Sequence, residues 1–170
     1  AVHKRLKVFP VREGNKILYL GAASGTTPSH VSDIVASKGR VYCVEFAQRT
    51  MRELINNVCI HRSNMIPISA DARFPESYRM MVEQVDLIYC DIAQPEQAKV
   101  LADNADLFLK DNGWVLLAIK ASSIDVTKAP SAVFKGETAI LTNRGFSVVD
   151  LINLEAFDKA HAMVLAQYKQ

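Results

Sequence analysis

A short apolar run that ends in a glycine turn constrains the fold of this chain more than any other stretch. The stretch is KILYLGAASGTT, at Lys16–Thr27. Its run Ile17–Leu20 has no polar face, which is typical of a strand buried on both sides of a parallel sheet. Gly21 and Gly25 then let the backbone turn and approach a ligand without a Cβ in the way. The pattern predicts a βα unit, with its helix over His30–Val35.

The residues after the turn are of types that cap helices, namely Thr26, Thr27 and Ser29. A strand, a glycine turn and a helix N-terminus together form the nucleotide-binding corner of an α/β fold. The glycines are spaced G-x-x-x-G and lack the full G-x-G-x-x-G pattern that surrounds a pyrophosphate with N–H groups. A nucleoside cofactor without phosphate does not need that pattern, and S-adenosylmethionine (SAM) is the common one. The alternative is a tight βα turn that binds nothing.

Length and composition indicate one globular domain over residues 1–170, because 49% of the residues are hydrophobic and 22% are charged. No apolar run approaches the roughly 18 residues of a membrane span, and the start of the chain does not resemble a signal peptide. We therefore expect a soluble, intracellular protein. The net charge of +2 argues against strong, independent binding to nucleic acid. If the substrate is RNA, another component is expected to hold it.

The thiols and imidazoles are scattered along the chain. No C-x-x-C pair is present, so we expect free, buried thiols in a reducing compartment at Cys43, Cys59 and Cys90. The histidines show no metal-ligand spacing either, and they are His3, His30, His61 and His161. The sequence therefore predicts no metal site.

Polar side chains close the next two predicted strands. The second strand, Arg40–Phe46, ends on Glu45 and Phe46, roughly 20 residues beyond the glycine turn. In the nucleoside sites of α/β folds, the carboxylate that accepts hydrogen bonds from the ribose hydroxyls lies at this position. An aromatic side chain beside it can cover the face of the adenine. The alternative is a surface glutamate beside a core phenylalanine. The third strand, Met65–Ser69, precedes Asp71, which is expected to accept from an adenine amino group or to cap a turn.

An acid and a lysine end the following two strands. Val85–Asp91 is strongly apolar and ends on its acid, and Lys120 follows the strand Trp114–Ile119. Ligands of open parallel sheets bind at the carboxyl ends of strands, so Asp91 should face the same crevice as Gly21. The functional interpretation is a catalytic pair, Asp91 with Lys120. The alternative is an ion pair at the edge of the sheet.

The remaining pattern alternates helices with strands. Helices are predicted over 51–58 and Glu96–Leu109, and Asn112–Gly113 is predicted to turn the chain into the fifth strand. After a further helix, Ser147–Leu154 and Ala162–Tyr168 are expected to form an antiparallel pair at one edge. The predicted fold class is α/β: a doubly wound, Rossmann-like, mostly parallel sheet of about seven strands.

With these residues assembled, the chain resembles the fibrillarin family of SAM-dependent ribose 2′-O-methyltransferases of box C/D ribonucleoproteins. The resemblance runs over essentially the whole chain. It depends most on the blocks GAASGTT, DIAQP and IKASSID, in this order, with VEFAQR, PISADARFPESYR and the late DKAHAMV between and after them.

The resemblance implies a role for each position of the crevice. It puts SAM on the turn at Gly21, Ala22, Gly25, Thr26 and Thr27, with Glu45 on the ribose and Phe46 on the adenine. It further implies that the adenine edge meets Asp71 and Ala72, and that the methionine part and the sulfonium border Asp91, Ile92, Ala93 and Gln94.

The resemblance also implies the catalytic positions. These are Asp91, Lys120 and His161, the last within K-A-H where the family usually shows R-D-H, so Lys159 and Ala160 depart from the pattern. Lys120 would lie beside the ribose 2′-hydroxyl, where it either takes the proton or steadies the developing alkoxide. The sequence leaves both roles open.

The family also carries a β-rich region and a helix with W-N-P and S-K before the first strand, which supplies another active-site lysine. Residues 1–15, with their basic cluster of Lys4, Arg5 and Lys7, are expected to be the end of that helix and its loop. The chain is thus expected to be a trimmed methyltransferase core. The alternatives are a catalytically impaired SAM-binding or scaffold module, a protein (histone glutamine) methyltransferase, or a nicotinamide-dependent reductase.

The resemblance implies partners and a location as well. The expected partners are a box C/D guide RNA, target rRNA and a Nop-family scaffold protein, with no membrane and no metal. The blocks GTTPSH and DARFPESYR look more like eukaryotic than archaeal members. The expected location is the nucleolus for a eukaryotic protein and the cytoplasm for an archaeal one.

Overall fold

The apolar run after Lys16 forms an interior strand of a mostly parallel sheet. A computed structural model describes residues 6–154 and 160–169. The strands in this part of the chain are β1 Lys16–Leu20, β2 Arg40–Glu45, β3 Met65–Ser69, β4 Val85–Cys90, β5 Leu109–Lys120, β6 Phe146–Asn153 and β7 His161–Tyr168. They form one seven-stranded sheet in the order β3-β2-β1-β4-β5-β7-β6. All side chains of Ile17–Leu20 are buried, as expected for a strand with both faces covered.

The sheet is parallel except at one edge. β1 pairs in parallel with β2 and β4, and the parallel ladder continues to β3 on one side and β5 on the other. β7 runs antiparallel to both β5 and β6. The fold class, the number of strands and the antiparallel edge are therefore confirmed. Pro67, which cannot donate to a ladder, lies on the edge strand β3.

Helices cover both faces of the sheet. They are α1 Thr26–Val35, α2 Gln48–Asn57, α3 Gln97–Phe108, α4 Ala121–Ile124 and α5 Pro130–Asn143, with 3₁₀ turns at Cys59–His61 and Pro75–Met81. Alternate residues of β1 point to opposite faces: Leu18 and Leu20 pack in the cluster beneath α3 and α5, and Ile17 and Tyr19 pack beneath α1 and α2. This arrangement directs the carboxyl ends of β1–β5 to one rim of the sheet.

Most boundaries lie within three residues of those expected, and α2 begins at Gln48 rather than 51, but two differ by more. Helix α1 begins at Thr26 rather than His30, and its N-cap is Gly25, at φ 98°, without a side-chain hydrogen bond. Thr26 and Thr27 thus form the first turn instead of capping it. Strand β5 begins at Leu109, because Asn112, at φ 59°, forms an irregularity within the strand rather than a turn before it.

The thiol prediction is correct in part. All three cysteines are free, and Cys43 and Cys90 are buried. The prediction of a buried thiol is wrong for Cys59, which lies partly exposed at the start of a 3₁₀ turn. None of the helices in residues 6–154 and 160–169 is long and apolar enough to cross a membrane.

The segment before β1 has no regular helix or strand from residue 6 onward. Its backbone is tied to the far edge of the sheet, since the Lys7 N–H donates to Asp150 Oδ2 at 3.1 Å. Lys4 and Arg5 of the predicted basic cluster lie outside the described residues. The interpretation of residues 1–15 as a helix end and loop stays a prediction.

Candidate functional site

A cavity of about 310 Å³ opens at the carboxyl ends of β1–β5, within the range of about 300–1,000 Å³ that small-molecule sites occupy. The structure brings most of the predicted binding residues to its wall, together with Lys120: Gly21, Glu45, Phe46, Asp71, Ala72 and the segment 91–94. Side chains that are far apart in the sequence thus share one crevice, at the place where open α/β sheets bind ligands.

The glycine turn brings the backbone close to the opposite wall. Gly21 has φ 81°, and a Cβ at this position would lie 2.7 Å from the carbonyl oxygen of Asp91. Only glycine is compatible with that conformation and that contact. Ala22 and Gly25 are buried behind the wall, whereas Thr26 and Thr27 are exposed at the start of α1. These four do not line the cavity, so their predicted contact with a cofactor stays a prediction.

Glu45, at the end of β2, is held in place by backbone donors. Its carboxylate accepts from the N–H groups of Ala23 and Ala47, each at 2.8 Å. A carboxylate has about four lone-pair sites, so two remain for ribose hydroxyls. Phe46 follows at the rim with 65% of its surface exposed, so its ring is available to a flat ligand and is not a core side chain.

Asp71 is engaged by an arginine that the sequence pattern did not single out. The Arg73 guanidinium bonds both carboxylate oxygens, with Nη2–Oδ2 at 2.6 Å, and the Arg73 N–H donates to Oδ1 at 3.0 Å. These hydrogen bonds hold the pKa of Asp71 below its usual range. Asp71 is therefore both a turn cap and a cavity residue. If its carboxylate accepts a hydrogen bond from an adenine amino group, it does so while also accepting hydrogen bonds from Arg73.

Two of the three predicted catalytic side chains meet at the other end of the cavity. Lys120 Nζ lies 2.9 Å from Asp91 Oδ1 and donates to the Asp91 carbonyl oxygen at 3.1 Å. Their side chains are 25% and 30% exposed, so the pair faces the crevice without being fully hydrated. An ion pair that lines a ligand cavity differs from a solvated pair at a sheet edge, which was the alternative.

His161, the third predicted catalytic residue, is the register partner of Lys120 in the antiparallel β5–β7 pair. Partner side chains of such a pair project from one face, with Cβ atoms about 4.5–5.5 Å apart. The half-buried His161 thus lies next to Lys120, although it does not line the cavity. Lys159 of the K-A-H block lies outside the described residues.

Two further side chains that support Asp91 and Lys120 were missed. Tyr19 donates to Asp91 Oδ2 at 3.3 Å, and its ring stacks on Tyr89 with centroids 4.6 Å apart. Burial raises the pKa of Tyr19, so the hydroxyl remains a donor. Gln97 accepts from the Lys120 N–H at 3.1 Å. The sequence did contain a signal for Tyr19, which is a tyrosine within an otherwise apolar strand. It contained no local signal for Gln97.

No group of three or more His, Cys, Asp or Glu residues is arranged to hold a metal ion within the described ranges. The charged groups that line the cavity are instead the carboxylates of Glu45, Asp71 and Asp91, with Lys120 and Arg73. They are suited to a ligand with hydroxyl, amino and cationic groups.

The family model that describes fibrillarin matches residues 1–170 of this chain. A fibrillarin-like rRNA/tRNA 2′-O-methyltransferase of Staphylothermus marinus is 60% identical over 161 residues, which cover 95% of this chain and 68% of the relative. The corresponding protein of Methanopyrus kandleri is 57% identical, covering 96% of this chain and 70% of the relative.

Solved structures agree with these relatives. A fibrillarin pre-rRNA processing protein of Methanococcus jannaschii superposes with a TM-score of 0.95 at 51% identity, covering 99% of this chain and 73% of that one. Aeropyrum pernix fibrillarin with natively bound SAM superposes with a TM-score of 0.89 at 54% identity, covering 98% of this chain and 72% of that one. The fibrillarin of a fibrillarin/Nop5p complex superposes with a TM-score of 0.89 at 39% identity, covering 99% of this chain and 78% of that one.

Proposed function

The chain belongs to the fibrillarin family, and from this premise we propose that it is a SAM-dependent RNA ribose 2′-O-methyltransferase. The observation that supports this activity most directly is the Asp91–Lys120 pair, at 2.9 Å, in the same cavity as Glu45 and Asp71. One end of the cavity offers acceptors for a nucleoside, and the other offers a charged pair for the transfer of a group to a hydroxyl.

The residues of the cavity fit SAM. Glu45 has acceptor sites left for the ribose hydroxyls, and the close approach of Gly21 to Asp91 leaves a cradle that a Cβ would fill. The backbone beyond Asp71 and the exposed ring of Phe46 border the adenine end. Asp91 supplies a negative charge for the sulfonium end. When bound, the cofactor supplies a methyl group activated by the positive sulfur.

Lys120 is oriented to act on the ribose oxygen. As an ammonium it has three N–H groups, and it pairs with two oxygens of Asp91, one of the carboxylate and one of the backbone. The third N–H can donate to the 2′-oxygen and stabilise the negative charge that develops there as the hydroxyl proton passes to solvent water. The geometry supports this electrostatic role for Lys120, with Asp91 pairing with its ammonium and His161 beside it.

We propose that the protein acts on rRNA, as stated in the name of its Staphylothermus marinus relative, and that it docks on a Nop-family protein, as does the fibrillarin solved in complex with Nop5p. We propose further that a box C/D guide RNA selects the target. The net charge of +2 makes the counterion-release contribution to RNA binding small. A 2′-hydroxyl is also alike on every nucleotide, so a single crevice cannot select one position in a long RNA.

Guided methylation tests the proposal. The chain is incubated with SAM carrying a labelled methyl group, a Nop-family protein and a guide RNA, and the labelled ribose in the target is mapped. We expect one labelled 2′-hydroxyl, at the position set by the guide, and little labelling of naked RNA by the chain alone. Efficient, site-specific labelling of naked RNA would overturn the assembly proposal, and no labelling in the full assembly would overturn the activity.

The location is a separate proposal. We propose that the protein lies where rRNA is processed, which is the nucleolus in a eukaryotic cell and the cytoplasm in an archaeal one. Fluorescence imaging or fractionation of the tagged protein in its source cell tests this, and accumulation at a membrane would contradict it.

A further inference from the structure

Two fully buried amide side chains project from helix α3. Gln97 and Asn104 have no exposed surface, and they are seven residues apart on the same face of the helix. Burying an amide costs free energy unless its donors and acceptors are paired. Both amides are paired in this structure, and their partners belong to opposite ends of the cavity.

Gln97 connects the two elements that carry the charged pair. Its Nε2 donates to the carbonyl oxygen of Ile92 at 2.7 Å, within the segment 91–94 that lines the cavity. Its Oε1 accepts from the backbone N–H of Lys120 at 3.1 Å, beyond the last β4–β5 ladder pair. One side chain thus sets the distance between the end of β5 and the loop that follows β4.

Asn104 holds the opposite end. Its Nδ2 donates to the carbonyl oxygen of Ala72 at 2.9 Å, and also to Val100 within the helix. Its Oδ1 accepts from the hydroxyl of Tyr78, itself fully buried, at 2.5 Å. Ala72 lines the cavity beside Asp71. Asn104 therefore fixes the backbone at the adenine end of the site.

We propose that α3 positions the two ends of the site separately, Gln97 setting the placement of Lys120 for turnover and Asn104 setting the Ala72 backbone for cofactor affinity. Both are positioning residues, since neither lines the cavity. The assignment of the two ends to chemistry and to adenine rests on the proposed function. The hydrogen bonds themselves do not.

The expected effects differ between the two amides because misplacing a reacting group and weakening a binding contact change different constants. A displacement of about 1 Å at the chemistry can lower the rate about 100-fold. We expect Gln97→Met, similar in volume but without the amide, to lower kcat about 10- to 100-fold, with the Kd for SAM changed less than about 3-fold. Asn104→Leu, of similar shape, should raise that Kd about 10-fold or more and leave kcat at saturating SAM close to wild type.

The experiment uses the full chain and three measurements. The first is SAM binding by calorimetry without RNA, the second is kcat in the guided assembly, and the third is backbone amide exchange of Lys120 by NMR. Exchange of the Lys120 amide should accelerate in Gln97→Met, because its acceptor is lost, and stay unchanged in Asn104→Leu. The two variants are thereby controls for each other.

Milder variants address folding. Gln97→Glu keeps an acceptor for the Lys120 N–H, so its kcat should lie between those of wild type and Gln97→Met. Tyr78→Phe removes only the hydroxyl that fixes Asn104, so it should raise the Kd for SAM without altering exchange at Lys120. Circular dichroism establishes that each variant is folded.

The proposal would be overturned if Gln97→Met and Asn104→Leu each changed the Kd for SAM, kcat and the Lys120 exchange rate together. That result would show that α3 acts as one structural unit. An unchanged Lys120 exchange rate in Gln97→Met would also overturn it. A wild-type chain that binds SAM but does not methylate would instead refute the proposed function, while the exchange and binding measurements would still decide the separate positioning by α3.

Discussion

At the scale of single residues, the site is built from side chains whose backbone partners fix them before any ligand arrives. Glu45 illustrates this, because its carboxylate accepts from the backbone N–H groups of Ala23, in the turn after β1, and Ala47, just beyond β2. A group that is already oriented loses little conformational entropy when it binds. The position of Glu45 on the rim, and not its charge alone, makes it a candidate ribose acceptor.

Replacing Glu45 with alanine should weaken SAM binding by about 1–3 kcal/mol, the usual cost of a buried polar partner left unpaired. Calorimetry measures the change in Kd directly. Glu53→Ala is the matched control, because Glu53 is a half-exposed carboxylate on α2 whose partner is the exposed Arg49. A Kd for Glu45→Ala that equals that of the control would reject the ribose assignment.

The residues that sequence reasoning found and missed differ in one physical respect. Gly21, Asp71, Asp91 and Lys120 follow predicted strands, and the carboxyl ends of parallel strands must meet at one rim. Gln97 instead acts through a hydrogen bond to Lys120, 23 residues away in the sequence, which depends on how α3 packs beside β5. A single sequence carries no local sign of such pairs.

At the scale of elements, the turn after β1 depends on a glycine that meets the loop after β4. Gly21→Ala would place a Cβ 2.7 Å from the Asp91 carbonyl oxygen, at φ 81°. We expect a loss of about 1–3 kcal/mol in the free energy of unfolding, from left-handed backbone strain together with that clash. Urea denaturation measures it.

The matched control for this change is Gly136→Ala. Gly136 lies in helix α5, and a Cβ there would meet nothing within 4 Å. Because alanine favours a helix interior over glycine, the control should stabilise the protein by about 0.5–1 kcal/mol. Equal effects of the two substitutions would show that the turn tolerates a side chain.

The start of helix α3 depends on a buried carboxylate from α5. Glu137 is 5% exposed and accepts from the Ala98 N–H at 2.7 Å, and burial raises its pKa above the usual value. A raised folded-state pKa means that stability is lost as the pH rises from about 4.5 through that higher value. Glu137→Gln keeps an oxygen acceptor without the charge.

We therefore expect Glu137→Gln to gain stability relative to wild type as the pH rises from about 4.5 to neutrality, by about 1.4 kcal/mol for each unit of the pKa difference. Urea denaturation at a series of pH values measures this. Glu53→Gln, on the exposed surface of α2, serves as the control. A difference between Glu137→Gln and wild type that is independent of pH would contradict the shift.

The boundaries of helices and strands were predicted less well than the order of the elements. β3 was predicted with its correct bounds, because its short apolar run lies between Asn64 and Ser69. α1 was predicted to start too late, since Thr26 and Thr27 are capping types that here enter the first turn behind a glycine N-cap. The start of β5 was missed because Asn112–Gly113, a strong turn signal, is accommodated as an irregularity inside the strand.

At the scale of the whole molecule, the chain is a fibrillarin-family methyltransferase fold in which one rim of the sheet carries the site. The parallel half supplies the binding wall, and the antiparallel edge places His161 beside Lys120. Fold class, cofactor and the position of the crevice followed from strand order and motifs. The hydrogen-bonded support from α3, α5 and Tyr19 required the three-dimensional structure.

The central claim is that Lys120 serves methyl transfer rather than the stability of the sheet. The most direct test compares Lys120→Ala with Lys110→Ala in the guided methylation assay. Lys110 also forms a lysine–aspartate pair, with Asp86 at 2.6 Å, but at the opposite end of β5. We expect Lys120→Ala to lower kcat about 100- to 10,000-fold with a nearly unchanged Kd for SAM, and Lys110→Ala to keep both. Equal loss of SAM binding and turnover in Lys120→Ala, or turnover like that of Lys110→Ala, would contradict the claim.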